Sequence, residues 1–254
     1  GRDCERVLRA AAGLSSPLEV HLEVETGLGR GGVLPEAVAA VLAVVRTSPG
    51  VRLGGVWTHL AAADDAGNAR GQDERFAAAL GLVEAVAWGG GPDAVRRHLA
   101  GSGGVLGAQV ARRDSVRTGI AVYGLVPDAL VPPPATAGAA ARLSPVMTLK
   151  ARPVRVLELP EGHGVGYGPT YVTTRPTRIA TLPVGYGDGW RRTLTDRADA
   201  LVRGVRVPLV GRVSMDSVTA DVTDVPGTPV TEDDEFVLLG SQGTERITAH
   251  DNSD

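Results

Sequence analysis

Three glycine-framed loops in the second half of the chain carry the groups best suited to moving a proton or holding an anion. They are Gly164-Val165-Gly166-Tyr167-Gly168, Gly185-Tyr186-Gly187-Asp188-Gly189-Trp190 and Gly211-Arg212-Val213-Ser214-Met215-Asp216. Glycine lets the backbone take a positive φ or approach a ligand closely. Tyr167 stands between glycines, bare of side-chain cover. A phenol with an ordinary pKa of roughly 10 exchanges protons near neutrality only when a cation or a donor stabilises the phenolate. A packed turn tyrosine is the other reading of the same residue. In the first half, Thr26-Gly27-Leu28-Gly29-Arg30-Gly31-Gly32 offers backbone N–H groups to an anion, and Arg30 adds a fork suited to carboxylate or phosphate. It lacks the lysine and Ser/Thr of a nucleotide-binding P-loop. His59 closes the run Trp57-Thr58-His59, Ser102 precedes Gly103-Gly104, and Gly119-Ile120 follows Arg117. A hydroxyl and amides of this kind are parts of a phosphate cup. No CxxC, HExxH or paired His/Asp spacing occurs, so no metal centre is expected.

These residues need elements to hold them. Helix-like runs at residues 2–12, 35–45 and 72–88 alternate with strand-like runs at 18–25, 51–59, 97–100 and 115–123. Alternation at this period predicts βαβ units and a parallel sheet, in which functional residues gather at the C-terminal ends of strands. Those ends carry Glu25-Thr26-Gly27, Thr58-His59, Gly101-Ser102 and Arg117-Thr118-Gly119. Four strands fit an open sheet, or part of a (β/α)8 barrel whose beginning is absent; the pattern does not choose. Residues 127–141 (PDALVPPPATAGAAA) read as a linker by composition. Beyond them lie strand signals at 147–158, 177–184, 200–202, 207–210, 217–222 and 235–239, without a long helix. That predicts an all-β domain of short strands.

Composition narrows the classes. A hydrophobic content of 43% over 254 residues allows a substantial core, and the 34 glycines and 17 prolines are spread out, which favours turns over a disordered tract. A net charge of −3 without a basic run argues against nucleic acid or an anionic membrane as partner. The longest apolar run, 37–45, falls well short of the roughly 18–20 residues of a membrane span. One cysteine, Cys4, excludes an internal disulfide framework and fits a reducing, cytoplasmic setting.

Taken in order, the segments Glu25-Thr26-Gly27-Leu28-Gly29-Arg30, Arg117-Thr118-Gly119-Ile120-Ala121-Val122-Tyr123-Gly124, Val165-Gly166-Tyr167-Gly168-Pro169-Thr170, Leu182-Pro183-Val184-Gly185-Tyr186-Gly187-Asp188-Gly189 and Val210-Gly211-Arg212-Val213-Ser214-Met215-Asp216 resemble the alanine racemase family. These are enzymes of fold type III that use pyridoxal 5′-phosphate. The resemblance implies an incomplete (β/α)8 (TIM-type) barrel, of which residues 1–127 are the C-terminal half. A linker at 128–142 and a mostly antiparallel β domain at 143–254 would follow, in a head-to-tail homodimer. It implies interconversion of L- and D-alanine for peptidoglycan precursors.

By the same resemblance, Tyr167 is the base on one face of the substrate α-carbon, His59 stands behind the pyridine ring, and Arg117 faces the pyridine nitrogen. Ser102 and the amides of Gly119 and Ile120 hold the phosphate, Arg30 and the Met215 backbone hold the substrate carboxylate, and Tyr186, Asp64, Arg192 and Arg212 line the access path. Three departures stand out. The family's cofactor-bearing lysine, which also serves the second face, has no counterpart, because the one lysine is Lys150 within a β-domain strand. Glu23 stands where many relatives carry a carbamylated lysine, and Gly101 stands where an asparagine usually precedes the phosphate serine. The expectation is therefore a central part of such a racemase, inactive alone. The alternatives are a non-catalytic dimerising or ligand-binding module on the same scaffold, or a racemase for another amino acid such as serine.

Overall fold

A computed structural model describes residues 2–85, 95–107 and 110–251, and the chain divides into two compact units, Gly1–Pro145 and Val146–Asp254. In the first unit, α1 (Arg2–Ala11) precedes β1 (Leu18–Glu23). Pro35 opens a 3-10 turn, Pro35–Ala37, that runs into α2 (Val38–Thr47), as its fixed φ and missing N–H favour. Then come β2 (Val51–Trp57), α3 (Ala66–Ala85), β3 (Arg96–His98) and α4 (Ser102–Gly107). The strands pair in parallel in the order β1-β2-β3. Among the described residues, no helix is long and apolar enough to cross a membrane.

The two faces of this sheet differ. Val20 and Leu22 of β1 pack with Leu53 and Val56 of β2 against Val38, Leu42 and Val45 of α2 and Ala69, Phe76, Leu80 and Val83 of α3. The α3 residues recur at helical spacing, so one stripe meets the sheet. Glu19, His21 and Glu23 alternate with the apolar residues and take the other face. Pairing jumps from Val20↔Leu53 to His21↔Gly55, so Gly54 is the extra residue of a bulge. That bulge puts Gly55 and Trp57 in register with His21 and Glu23, and β3 adds Arg96 and His98 beside them.

Three expectations are corrected here. The helix expected from 72 starts at Ala66, because the Asp65 carboxylate accepts the N–H groups of Gly67 (2.8 Å) and Asn68 (3.0 Å) as an N-cap; its expected end at 86–88 lies outside the described residues. The strand expected at 115–123 is a single bridge, Gly101↔Arg117, followed by a 3-10 turn, Ile120–Tyr123. The Ser102 hydroxyl draws the amides of Gly119 and Ala121 inward, and Gly124 closes the turn at φ +77°. A Cβ on Gly124 would lie 1.9 Å from the Ser144 carbonyl oxygen. The stretch expected to be a linker carries α5 (Pro134–Ala140), which buries Thr136 and Ala140 with Leu106 and Leu130. Alanine propensity, a proline at the first helical position and this small apolar cluster outweigh the linker-like composition.

The second unit is mainly β: β4 (Leu149–Ala151), β5 (Arg155–Leu159), β6 (Gly164–Val165), β7 (Tyr171–Val172), β8 (Thr177–Leu182), β9 (Asp199–Val202), β10 (Val205–Val210), β11 (Val218–Asp221), β12 (Phe236–Gln242) and β13 (Glu245–Ile247), with 3-10 turns at Tyr186–Asp188 and Arg192–Leu194. An antiparallel sheet runs β13-β12-β9-β10-β11-β8-β5, with β4 also on β12, and β6-β7 form a separate hairpin. The run expected as one strand at 147–158 divides at Pro153, which has no N–H to give a ladder. Arg203 (φ 52°) and Gly204 (φ 75°) form a two-residue hairpin turn of the kind that matches strand twist. Phe236, Leu238, Leu182, Ala180, Ala200, Val202 and Ala220 make the core.

Phe236 is fully buried there, whereas Val154 is 65% exposed. Phe236→Ala should cost about 3–5 kcal/mol, read as a lower urea midpoint with an unchanged slope, and Val154→Ala should stay within about 0.5 kcal/mol.

Candidate active site

A cavity of about 250 Å³ in the first unit is lined by His59, Leu60, Ala63, Gly101, Ser102, Gly103, Gly104, Arg117 and Gly119. It sits where β2 and β3 end, the position a parallel sheet offers to a ligand. Arg117 dominates it. One guanidinium nitrogen donates to the Thr58 carbonyl (2.8 Å) and to His59 Nδ1 (3.0 Å), the other to His98 Nδ1 (2.6 Å), and the group lies 4.5 Å from the Trp57 ring centre. Arginine has no acceptor, so both imidazoles must present an unprotonated Nδ1. His59 and His98 are therefore neutral rings carrying their proton on Nε2. Burial first and the Arg117 charge second lower the pKa of each, that of His98 to about 4. Arg30 adds to the field that keeps His59 neutral. Burial also draws Arg117 below its usual value, while Glu23 acts to raise it.

The Ser102 hydroxyl accepts the amides of Gly119 (2.9 Å) and Ala121 (3.2 Å). With its lone pairs so used, its single proton is left to donate to another group. Ile120 stays outside the cavity lining and is exposed.

His59 is mounted on a buried polar knot that sequence reasoning missed. Gln72 of α3, fully buried, donates to Thr26 Oγ1 (3.0 Å) and to the His59 carbonyl (3.0 Å) and accepts the Ala61 amide (2.7 Å). The Thr26 and Thr58 hydroxyls meet at 2.6 Å. This ties the glycine loop, the end of β2 and α3 together. The loop itself corrects an expectation: its amides do not await an external anion. The Glu25 carboxylate accepts the N–H groups of Gly27 and Gly29 (2.8 Å for the latter). Burial works to raise the Glu25 pKa, but hydrogen bonds from the amides of residues 27–30 overcome it and the net shift is downward. Arg30 stands exposed at the end of this internally satisfied loop. Asp64 is exposed just ahead of α3.

The second unit gathers a separate set. Tyr167, 74% exposed, tips the β6–β7 hairpin between Gly166 (φ 77°) and Gly168 (φ 53°). Tyr171 anchors that hairpin by donating to Asp221 Oδ2 (2.8 Å). Burial first and Asp221 second push the Tyr171 phenol up to about 12, which removes it as a proton carrier. The backbone of Arg212 lies against Gly166, and its guanidinium beside Gly168. Met215 gives its carbonyl to the Gly187 N–H (2.7 Å), and its own N–H has no protein partner among the described residues. The Arg192 guanidinium is 5.8 Å from the Tyr186 ring centre. Tyr167 and Arg212 thus adjoin, as do Tyr186, Arg192 and Met215. Lys150 on β4 pairs with Glu235 (2.8 Å), the residue just ahead of β12. In the first unit His98, His21 and Trp57 went unnoticed; the paired Gly54-Gly55 inside a strand was the signal available for them.

Comparison with known proteins gives one consistent answer. Residues 2–127 match the alanine racemase N-terminal domain and residues 146–254 the alanine racemase C-terminal domain. The alanine racemase of Syntrophobacter fumaroxidans is 42% identical over 97% of this chain and 63% of its own length. That of Symbiobacterium thermophilum is 45% identical over 91% and 58%. Among solved structures, alanine racemase from D-cycloserine-producing Streptomyces lavendulae matches with a TM-score of 0.81 at 35% identity, covering 98% of this chain and 64% of that one. Alanine racemase from Bacillus anthracis, solved with bound L-Ala-P, matches with a TM-score of 0.82 at 30% identity, over 98% and 62%. The chain thus spans less than two thirds of the length of these relatives.

Two outcomes follow for the first unit. Gln72→Leu strands the Ala61 amide and takes away the donor to Thr26 and to the His59 carbonyl, and should cost about 1–3 kcal/mol in urea unfolding. Between the ordinary histidine pKa of 6.5 and about 4, the unfolded chain takes up a proton that folded His98 refuses. Stability is then full above pH 6.5 and falls as the pH drops towards 4, read as urea midpoints at a series of pH values.

Proposed function

The chain belongs to the alanine racemase family, and from that membership we propose that the protein carrying it interconverts L- and D-alanine with pyridoxal 5′-phosphate. The observation that carries the reading is the Arg117 cluster: a guanidinium held by Thr58, His59 and His98 at one end of a cavity that has the Ser102 hydroxyl on its wall. The donor set fits the cofactor. Ser102 has a proton to give to a phosphate oxygen; the Gly119 amide, which donates to Ser102 here, would have to turn to join it, and the Ile120 amide follows in the chain. Arg117 has N–H groups beyond those already used, and they suit a pyridine nitrogen. The cofactor, when bound, supplies an electron sink that makes the amino-acid α-proton removable.

The roles of the protein's own groups follow from their chemistry. Arg117 donates a hydrogen bond but does not surrender a proton, since its pKa stays above the working range. Neutral His59 offers a flat ring face to the cofactor. Arg30 and the free N–H of Met215 take the substrate carboxylate. Tyr167 removes or returns the α-proton on one face, reaching a second copy's cavity in a head-to-tail homodimer. Tyr186, Asp64, Arg192 and Arg212 line the path to the site. In this reading residues 1–127 are the C-terminal half of a (β/α)8 barrel, 128–142 the connection and 143–254 the β domain. The setting is cytoplasmic supply of D-alanine to peptidoglycan precursors.

Two-base racemisation needs a second proton carrier. Lys150, ion-paired to Glu235 on β4, is not that group. A longer protein would supply a cofactor-bearing lysine, and the 254-residue chain alone would not turn over. The engagement of Lys150 with Glu235 favours, as a second reading, a module that binds without catalysing.

Expressed with its upstream coding region, the protein should show a stable visible cofactor band and racemise alanine, followed by loss of optical rotation. Tyr167→Phe should keep the band and lower the rate by about 10²–10⁴. A rate unchanged in that variant would refute the role of Tyr167, and a band without racemisation in the unaltered protein would favour the binding module.

A further inference from the structure

Beyond the cavity, the polar face of the sheet carries a line of hydrogen bonds that leads away from Arg117. His98 Nδ1 accepts from Arg117, so its proton is on Nε2, which lies 2.8 Å from His21 Nδ1. His21 Nδ1 must accept in turn, which leaves the second proton on its Nε2, facing Glu19 Oε1 at 3.4 Å. Glu19 is held there by ion pairs to Arg52 and Arg96. Every donor in the line points the same way, from a guanidinium to a carboxylate it does not touch. The Trp57 ring lies parallel to that of His98, with 4° between the planes and 6.1 Å between the ring centres.

The backbone is cut to admit this line. A Cβ on Gly55 would lie 2.5 Å from His21 Nδ1, and one on Gly54 would lie 2.0 Å from Glu19 Cγ. The bulge at Gly54 keeps His21, Gly55 and Arg96 in one row and Glu23, Trp57 and His98 in the next. A ladder interior otherwise disfavours two successive glycines, which give up side-chain packing and backbone entropy.

We propose that His98 and His21, ending at Glu19, are positioning residues that hold the Arg117 guanidinium in one orientation as a pure donor, through two neutral imidazoles of fixed tautomer. The inference rests on the proposed function only in taking Arg117 as the group that faces the cofactor. The groups facing His98 are Arg117, His21, Arg96 and Asp114, and burial first and the Arg117 and Arg96 charges after it outweigh Asp114 in keeping it neutral. Protonating either ring would set two donors nose to nose and break the line at that ring.

The test uses the 254-residue chain without cofactor. In a chain labelled with ¹⁵N-histidine, long-range ¹H–¹⁵N spectra should show His98 and His21 with the proton on Nε2 at pH 7.5, and His98 still so at pH 6. A proton on Nδ1 of either ring, or a charged His98 at pH 6, overturns the proposal. Hydrogen exchange of the Arg117 guanidinium should quicken at least about tenfold in His98→Leu. It should stay near the parent rate in His98→Asn, whose oxygen replaces the Nδ1 acceptor. Equal rates in parent and His98→Leu also overturn it. None of these signals needs turnover, so an inactive longer protein with an intact line would count against the proposed function alone.

Discussion

A single cation organises the first unit's site. The Arg117 guanidinium is half-buried, and a charge partly taken from water is costly unless it finds partners. It finds a backbone carbonyl, two imidazole nitrogens and an indole face. Because the guanidinium can only donate, its partners lose the freedom to choose their own protonation. The tautomers of His59 and His98, the direction of the bond to His21 and the side of each ring that remains available all follow from that one asymmetry.

The second constraint is backbone proximity. In the first unit Gly54 and Gly55 leave room for Glu19 and His21. In the second, the glycine loops are interlocked. A Cβ on Gly185 would lie 2.4 Å from the Asp216 nitrogen, and one on Gly211 would lie 2.8 Å from the Val165 carbonyl oxygen. The three loops that carry Tyr167, Tyr186, Arg212 and Met215 are thereby packed against one another rather than hanging free. Tyr167 keeps an exposed phenol on a hairpin whose base is pinned by Tyr171 and Asp221.

Polar satisfaction explains two further features. The glycine loop before α2 has the look of an anion site, but Glu25 closes it from within and turns it into a rigid mount for Arg30. The Gln72 knot does the same for His59, joining loop, strand end and helix through groups that would be costly to bury unpaired. Lys150, which composition singles out as the only lysine, is spent on a surface ion pair.

The order of motifs along the chain was enough to identify the family, and periodicity was enough for a parallel α/β unit followed by an all-β one. Both are local properties: apolar spacing decides which face is buried, and glycine loops mark where backbone must turn or approach. Pairing distances of many tens of residues are not local. The turn at Ile120–Tyr123 depends on Ser102, and the helix Pro134–Ala140 on Leu106 and Leu130, so their own composition misleads. Likewise His21, His98 and Arg117 are scattered in sequence, and nothing in any one segment says that they form one line of hydrogen bonds. Strand register and the Gly54 bulge bring them together, because a parallel sheet aligns residues from separate βα units on one face. The residue types were written in the chain; their protonation and direction were decided only once folding set one donor-only cation among them.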